Sequence, residues 1–150
     1  MNHLSVNRTA LLTGHEGSVY ALERSADHDK FFSGGSDRLV CEWSIDAATP
    51  PQALVNVGAI IYSIRLVESS GKLLIGTSAG HLHVIDLASR KEIRNIAHHE
   101  KGIFDIAFSK ETDRLYTTSG DGHLSVWRLS DFSLISDFHL CQEKVRAVAV

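Results

Sequence analysis

An apolar signature returns every 42 residues along this chain with no insertion or deletion, and that periodicity limits the fold more than any other feature. Val19-Tyr20-Ala21-Leu22 is followed at that spacing by Ile61-Tyr62-Ser63-Ile64, Ile103-Phe104-Asp105-Ile106 and Val145-Arg146-Ala147-Val148. The same offset aligns Phe31, Leu73 and Leu115, then Val40, Leu82 and Leu124, then Leu12, Leu54, Ile96 and Phe138. A unit this short cannot enclose a core by itself. Stacked neighbours must bury one another's apolar faces.

Inside each unit, four short apolar runs alternate with turn-forming residues. In the first unit they are Ser18–Arg24, Lys30–Gly35, Leu39–Ile45 and Gln52–Asn56, parted by Asp27-His28-Asp29, Ser36-Asp37 and the stretch 47–51. The third unit offers Gly102–Ser109, Arg114–Ser119, His123–Leu129 and Leu134–His139, with Gly120-Asp121-Gly122 as a tight hairpin turn. No stretch keeps a helical period. Four antiparallel strands in each repeat of about 40–45 residues predict an all-β fold, a β-propeller of four-stranded antiparallel blades. The units run over 12–53, 54–95 and 96–137, with a partial unit over 138–150.

Two units share a set of polar residues in matching columns. The first has Gly14-His15, Ser33, Asp37 and Trp43-Ser44; the third has His98-His99, Thr117, Asp121 and Trp127-Arg128. These residues resemble the structural network of the WD-repeat (WD40) family, although neither unit ends in Trp-Asp. Chemistry explains why they travel together. The turn aspartate can hold one imidazole nitrogen and fix the tautomer, while the hydroxyl joins the other nitrogen to the indole N–H. A half-made network leaves buried donors unpaired at about 1–3 kcal/mol each, so the set is expected whole or absent. In the second unit the four columns read Val57, Ile75, Ala79 and Ile85. That unit is expected to be held by packing alone.

Recurrence once per unit, with a Trp as fourth member, favours a structural role for these Ser, His and Asp residues over an acyl-transfer triad. No catalytic residue is assigned. Some propellers are enzymes or ligand-binding proteins that use the central channel, which requires inward carboxylates or metal ligands. Only Glu23 and Asp105 approach that description, in different columns. His81, His83 and His123 are the best candidates for a metal, but no Cys, Asp or Glu stands in a matching column, and none is assigned. No phosphate-binding loop or other cofactor motif appears.

The resemblance implies a different site. In this family the surface bearing the d–a loops and b–c turns usually receives partners, which predicts a non-enzymatic scaffold for other proteins or peptides. Carried over by column, the residue after the first apolar position of the innermost strand is Tyr20, Tyr62, Phe104 and Arg146, with Ile60 and Lys144 beside it. Aromatic residues and Arg are enriched at interface hot spots, although an aromatic at a strand start also packs against its neighbour. A net charge of -3 gives no concentrated basic face for nucleic acid or a membrane surface, and no apolar run approaches the length of a membrane span. Two widely spaced cysteines, Cys41 and Cys141, and no signal-like N-terminus predict a reduced, cytoplasmic setting with two buried or inert thiols.

About three and a half units are expected to belong to a larger ring, for which seven blades take about 294 residues at this period. Residues 4–12 align with an outermost strand and would close such a ring. Residues 147–150 fall inside the innermost strand of a fourth unit. The remaining blades would come from further chain or from another copy.

Overall fold

Every short apolar run folds as a strand. A computed structural model describes residues 5–46 and 48–150. Blade one contains β1 (Val19–Arg24), β2 (Lys30–Gly35), β3 (Leu39–Ser44) and β4 (Gln52–Asn56). Blade two contains β5 (Ile61–Val67), β6 (Lys72–Thr77), β7 (His81–Asp86) and β8 (Lys91–Ala97). Blade three contains β9 (Ile103–Ser109), β10 (Arg114–Ser119), β11 (His123–Arg128) and β12 (Leu134–His139). Each blade is an antiparallel sheet in sequence order, and one 3-10 turn over Glu68–Ser70 is the sole helical element among the described residues.

The cores lie between blades, as the stacking requirement demands. Ala21, Phe32 and Val40 of blade one pack on Ile61, Ile64, Leu73, Ile75 and Ile85 of blade two. On its other face blade two presents Val67, Leu74, Leu82 and Val84 to Ile103, Ile106, Leu115 and Trp127 of blade three. Residues one apart on a strand therefore serve different seams, and each seam reuses the same columns. Blade two is buried on both faces, which is why its strands are the most continuously apolar.

Polar ties reinforce the seams at the innermost strands. The Glu23 carboxylate accepts the Leu66 amide at 3.0 Å, Arg65 Nε donates to the Ile106 carbonyl at 2.9 Å, and Ser63 Oγ donates to the Ile103 carbonyl at 3.2 Å. Asp105 accepts the Val148 amide at 3.0 Å.

The two chain ends behave differently from the blades. Residues 5–15 and 140–150 join no ladder. Every third strand already holds its own outermost partner, so an outer strand over 4–12 has nothing to pair with among the described residues, and Leu4 lies outside them. Likewise each innermost strand takes its ladder partner from the next strand of its own blade, and 147–150 has none among the described residues.

Candidate functional site

The d–a loops and b–c turns are brought to one end of every sheet by a repeated backbone bond. The Ser36 amide donates to the Ser18 carbonyl at 2.9 Å, Ser78 to Ile60 at 2.8 Å, and Gly120 to Gly102 at 3.0 Å. Beside each of these clips the ladder between the first two strands slips by one residue. Pairing passes from Val19 to Ala21, from Ile61 to Ser63 and from Ile103 to Asp105. The residues left out are Tyr20, Tyr62 and Phe104. A bulge frees the extra residue from the pleat and re-aims its side chain, so the aromatic column is displayed by backbone geometry.

Once displayed, these side chains meet. The Tyr20 and Tyr62 rings are 5.8 Å apart edge-on, Tyr62 and Phe104 are 5.3 Å apart and stacked, and the Arg146 guanidinium lies 5.3 Å from the Phe104 centroid. Geometries of this kind contribute about 0.5–1.5 kcal/mol per aromatic pair beyond simple burial. Gly102 makes the contact possible, because a Cβ there would sit 2.6 Å from Tyr62 Cε2. Tyr20 is 55% exposed, while Tyr62 and Phe104 are half-buried beneath the stripe they form. Ile60 is half-buried in the loop before Tyr62, and Lys144 and Arg146 are exposed.

The polar columns assemble in blades one and three. In blade one His15 Nδ1 donates to Asp37 at 2.6 Å, Ser33 Oγ donates to His15 Nε2 at 2.6 Å, and Trp43 Nε1 donates to Ser33 at 2.6 Å. Blade three repeats this with His99 to Asp121 at 3.1 Å, Thr117 to His99 at 2.8 Å and Trp127 to Thr117 at 3.0 Å. Burial pushes the Asp37 carboxyl up, yet hydrogen bonds from His15 and the Leu39 and Glu16 amides bring it below the ordinary carboxylate value. For Asp121, burial is likewise overcome by the His123 and Glu100 amides and by His99. Burial lowers His99, with Asp121 opposing, so the neutral tautomer is favoured.

Blade three carries the network further than the family columns indicate. Ser125 donates to Asp137 at 2.5 Å, His123 Nδ1 donates to the other carboxylate oxygen at 2.6 Å, and His98 Nε2 lies 3.4 Å away. Burial raises the Asp137 pKa, but these three partners carry it down to about 2. Ser125 Oγ also lies 3.3 Å from His99 Nε2, the spacing of a nucleophile and base. Its proton goes to Asp137, and Ser125, Ser33 and Thr117 are each at most 2% exposed and engaged by network partners.

Blade two corrects the expectation of packing alone. Ile75 and Ile85 are fully buried in the network columns, as apolar replacements should be. However, His83 is only 3% exposed and bonds Glu92 at 2.7 Å, and His81 bonds Asn95 at 3.0 Å. The His83 column lies on the same face as the Trp column, two residues before it on the same strand. A different cross-strand polar pair occupies this sheet. These histidines take carboxylate or amide partners, and among the described residues no group of three or more His, Cys, Asp or Glu is placed to hold a metal ion.

The channel carboxylates are likewise engaged. Arg65 sits 3.5 Å from both Glu23 and Asp105, each of which also accepts an amide across a seam. Cys41 is buried, where desolvation raises its thiol pKa, whereas Cys141 is exposed.

Comparison with known proteins agrees with this geometry. The family model described as "WD domain, G-beta repeat" matches residues 6–44 and 90–128, the two regions that carry a complete polar network. Among curated relatives, a WD repeat-containing protein 91 homolog from Dictyostelium discoideum is 27% identical over 65% of this chain and 13% of its own length. The Echinoderm microtubule-associated protein-like elp-1 of Caenorhabditis elegans is 26% identical over 78% of this chain and 13% of its own. The chain thus spans 13% of the length of each of these relatives. Among solved structures, U3-55K superposes with a TM-score of 0.79 at 19% identity, covering 89% of this chain and 42% of that one. The computationally designed Ika4 protein gives 0.78 at 21% identity, covering 97% and 88%.

Proposed function

The chain belongs to the WD40 repeat family, and from that premise we propose that it is a non-enzymatic scaffold that binds other proteins through the face bearing the d–a loops and b–c turns. The aromatic stripe of Tyr20, Tyr62 and Phe104, capped by Arg146, carries this reading. It crosses all three blades at positions released by bulges. A partner laid across it desolvates large, rigid side chains at low entropic cost. Ile60 and Lys144 extend the surface at its edges.

Two observations weigh against a channel enzyme: the inward carboxylates are held by Arg65 and backbone amides, and the buried hydroxyls are committed to each other's networks. The outward face of blade one supports a second part of the proposal. Val19 and Leu22 are 44% and 68% exposed, whereas their counterparts Ile61 and Ile64 are 0% and 5% exposed. Further blades, from this protein or another copy, cover that face in the working molecule. The proposed setting remains cytoplasmic, where both free thiols persist.

Affinity capture from a cell extract tests the scaffold reading, with Tyr20→Ala and Arg146→Ala as variants because both side chains are exposed. The expected result is loss of specific partners with an unchanged circular dichroism spectrum. Partner recovery that ignores both substitutions overturns it.

A further inference from the structure

Resting on the scaffold reading, the choice of partner chemistry follows from charges placed unevenly along the stripe. At the Tyr20 end the neighbouring loop positions are Gly17 and Ser18, and at the centre they are Ala59 and Ile60. At the Phe104 end they are Lys101, Lys144 and Arg146, all exposed. Lys101 and Phe104 flank Gly120 together, since a Cβ built there lies 3.3 Å from Lys101 Cβ and 3.1 Å from Phe104 Cε2. Among the described residues none of the lysine or arginine ion pairs involves Lys101, Lys144 or Arg146. Three cations without a carboxylate partner thus stand at one end of the aromatic run beside exposed Glu100 and Glu143, leaving that end with an excess of positive charge and the other without a cation.

We infer that this face binds an acidic peptide segment of a partner protein, with an apolar or aromatic side chain lying on Tyr20 and Tyr62 and carboxylates meeting Lys101, Lys144 and Arg146. A single-stranded nucleic acid also uses rings and cations, but two features disfavour it. Tyr62 and Phe104 already stack on each other, so one face of each ring is taken and no base can insert between them. Glu16, Glu100 and Glu143 stand exposed in the same loops, where a continuous phosphate backbone would meet them. A short acidic segment can avoid those carboxylates while its apolar residue anchors the register.

Selection of a random dodecapeptide library on the full chain tests this inference. The expected pool is enriched in Asp and Glu next to Phe, Leu, Tyr or Trp. Capture should fall at least about tenfold on combining Lys101→Glu, Lys144→Glu and Arg146→Glu, equivalent to about 1.4 kcal/mol. Tyr20→Ser should weaken the same pool, and far-UV circular dichroism verifies that each exposed-site variant folds. A neutral or basic pool that still depends on Tyr20 overturns the acidic class while leaving the scaffold face standing. A pool indifferent to Tyr20 and to charge reversal overturns the face itself. Absence of enrichment, or displacement of the selected peptides by oligouridylate at equal concentration, also overturns the acidic-peptide assignment.

Discussion

Blades one and three are pinned by polar networks, and blade two occupies the same geometry without one. Its apolar Val57, Ile75, Ala79 and Ile85 stand in the columns of His15, Ser33, Asp37 and Trp43, yet its sheet has the same strand order and the same bulge. The network is therefore not what creates the blade. Burial on both faces suffices for a blade with neighbours on each side, where hydrophobic transfer contributes about 25 cal/mol for each Å² removed from water. In blade one the network lies on the uncovered face beside Val19 and Leu22, whereas in blade three it lies in the seam with blade two, where Trp127 packs with Val67 and Leu74; in both it ties the d–a loop to the sheet. In blade one that loop bears His15 and Glu16, whose amide is also bound by Asp37 at 3.2 Å.

The largest effect should come from breaking the network singly. Thr117 is fully buried and serves both Trp127 and His99, so Thr117→Val leaves two buried groups unpaired and should cost about 2–4 kcal/mol. Ile75→Val in the same column of blade two should cost about 1 kcal/mol, the loss of one methylene. Equal shifts in urea midpoint would remove the distinction between the blades. A quadruple variant transplants blade two's set into blade one as His15→Val, Ser33→Ile, Asp37→Ala and Trp43→Ile. Its cost should fall short of the sum of the four single substitutions, since coupled groups are not additive; additivity measured by the same denaturation would break the argument for a unit.

Smaller effects sharpen the comparison. Glu92→Ala strips the buried His83 of its carboxylate partner and should cost about 1–2 kcal/mol, read as a lowered thermal midpoint. No change there would restore packing alone as the account of blade two. Acid should then distinguish blade three. His99 is lowered by burial, so the unfolded chain takes up that proton first and stability falls as pH drops below the unfolded value of about 6.5. Asp137, at about 2 when folded, contributes stability above the unfolded value of about 3.9 that is lost as pH falls towards 2. Asp137→Asn should reduce the loss in the lower window of a pH series of thermal melts and deepen the upper one slightly, because the Asp137 charge helps hold the His99 pKa up. The smallest expected change is a gain: Arg38 holds a φ of 69° where blades two and three have Gly80 and Gly122. Arg38→Gly should relieve about 1 kcal/mol of left-handed strain, offset in part by unfolded-chain entropy.

Some of these features are legible in residue order and others are not. A fixed period makes any residue's environment predictable from its column, which is why the strands, the two networks and the apolar replacements in blade two can be read from residue types alone. His83 is harder to place. It resembles an exposed hairpin histidine because its partner Glu92 stands nine positions away on the outermost strand, in a column with no other acid. Asp137 escapes column reading for the same reason: Ser125 and His123 of β11 and His98 of the loop after β8 converge on it, and no other unit repeats that combination. The adjacent pair His98-His99 is the one available hint.

Residue order alone dictates the repeat length, the four-stranded unit, the alternate use of strand faces and the positions where a buried polar network is complete or absent. These follow from local alternation and from the requirement that buried polar groups be paired, both of which act between neighbours in the chain. The assembled sheets settle the rest: that Tyr20, Tyr62 and Phe104 are the bulged residues, that their rings touch across two seams, and that Arg146 caps them. Ring contact depends on how far one sheet is rotated against the next and on the absence of a side chain at Gly102. Such distances between separate sheets are set by packing in three dimensions.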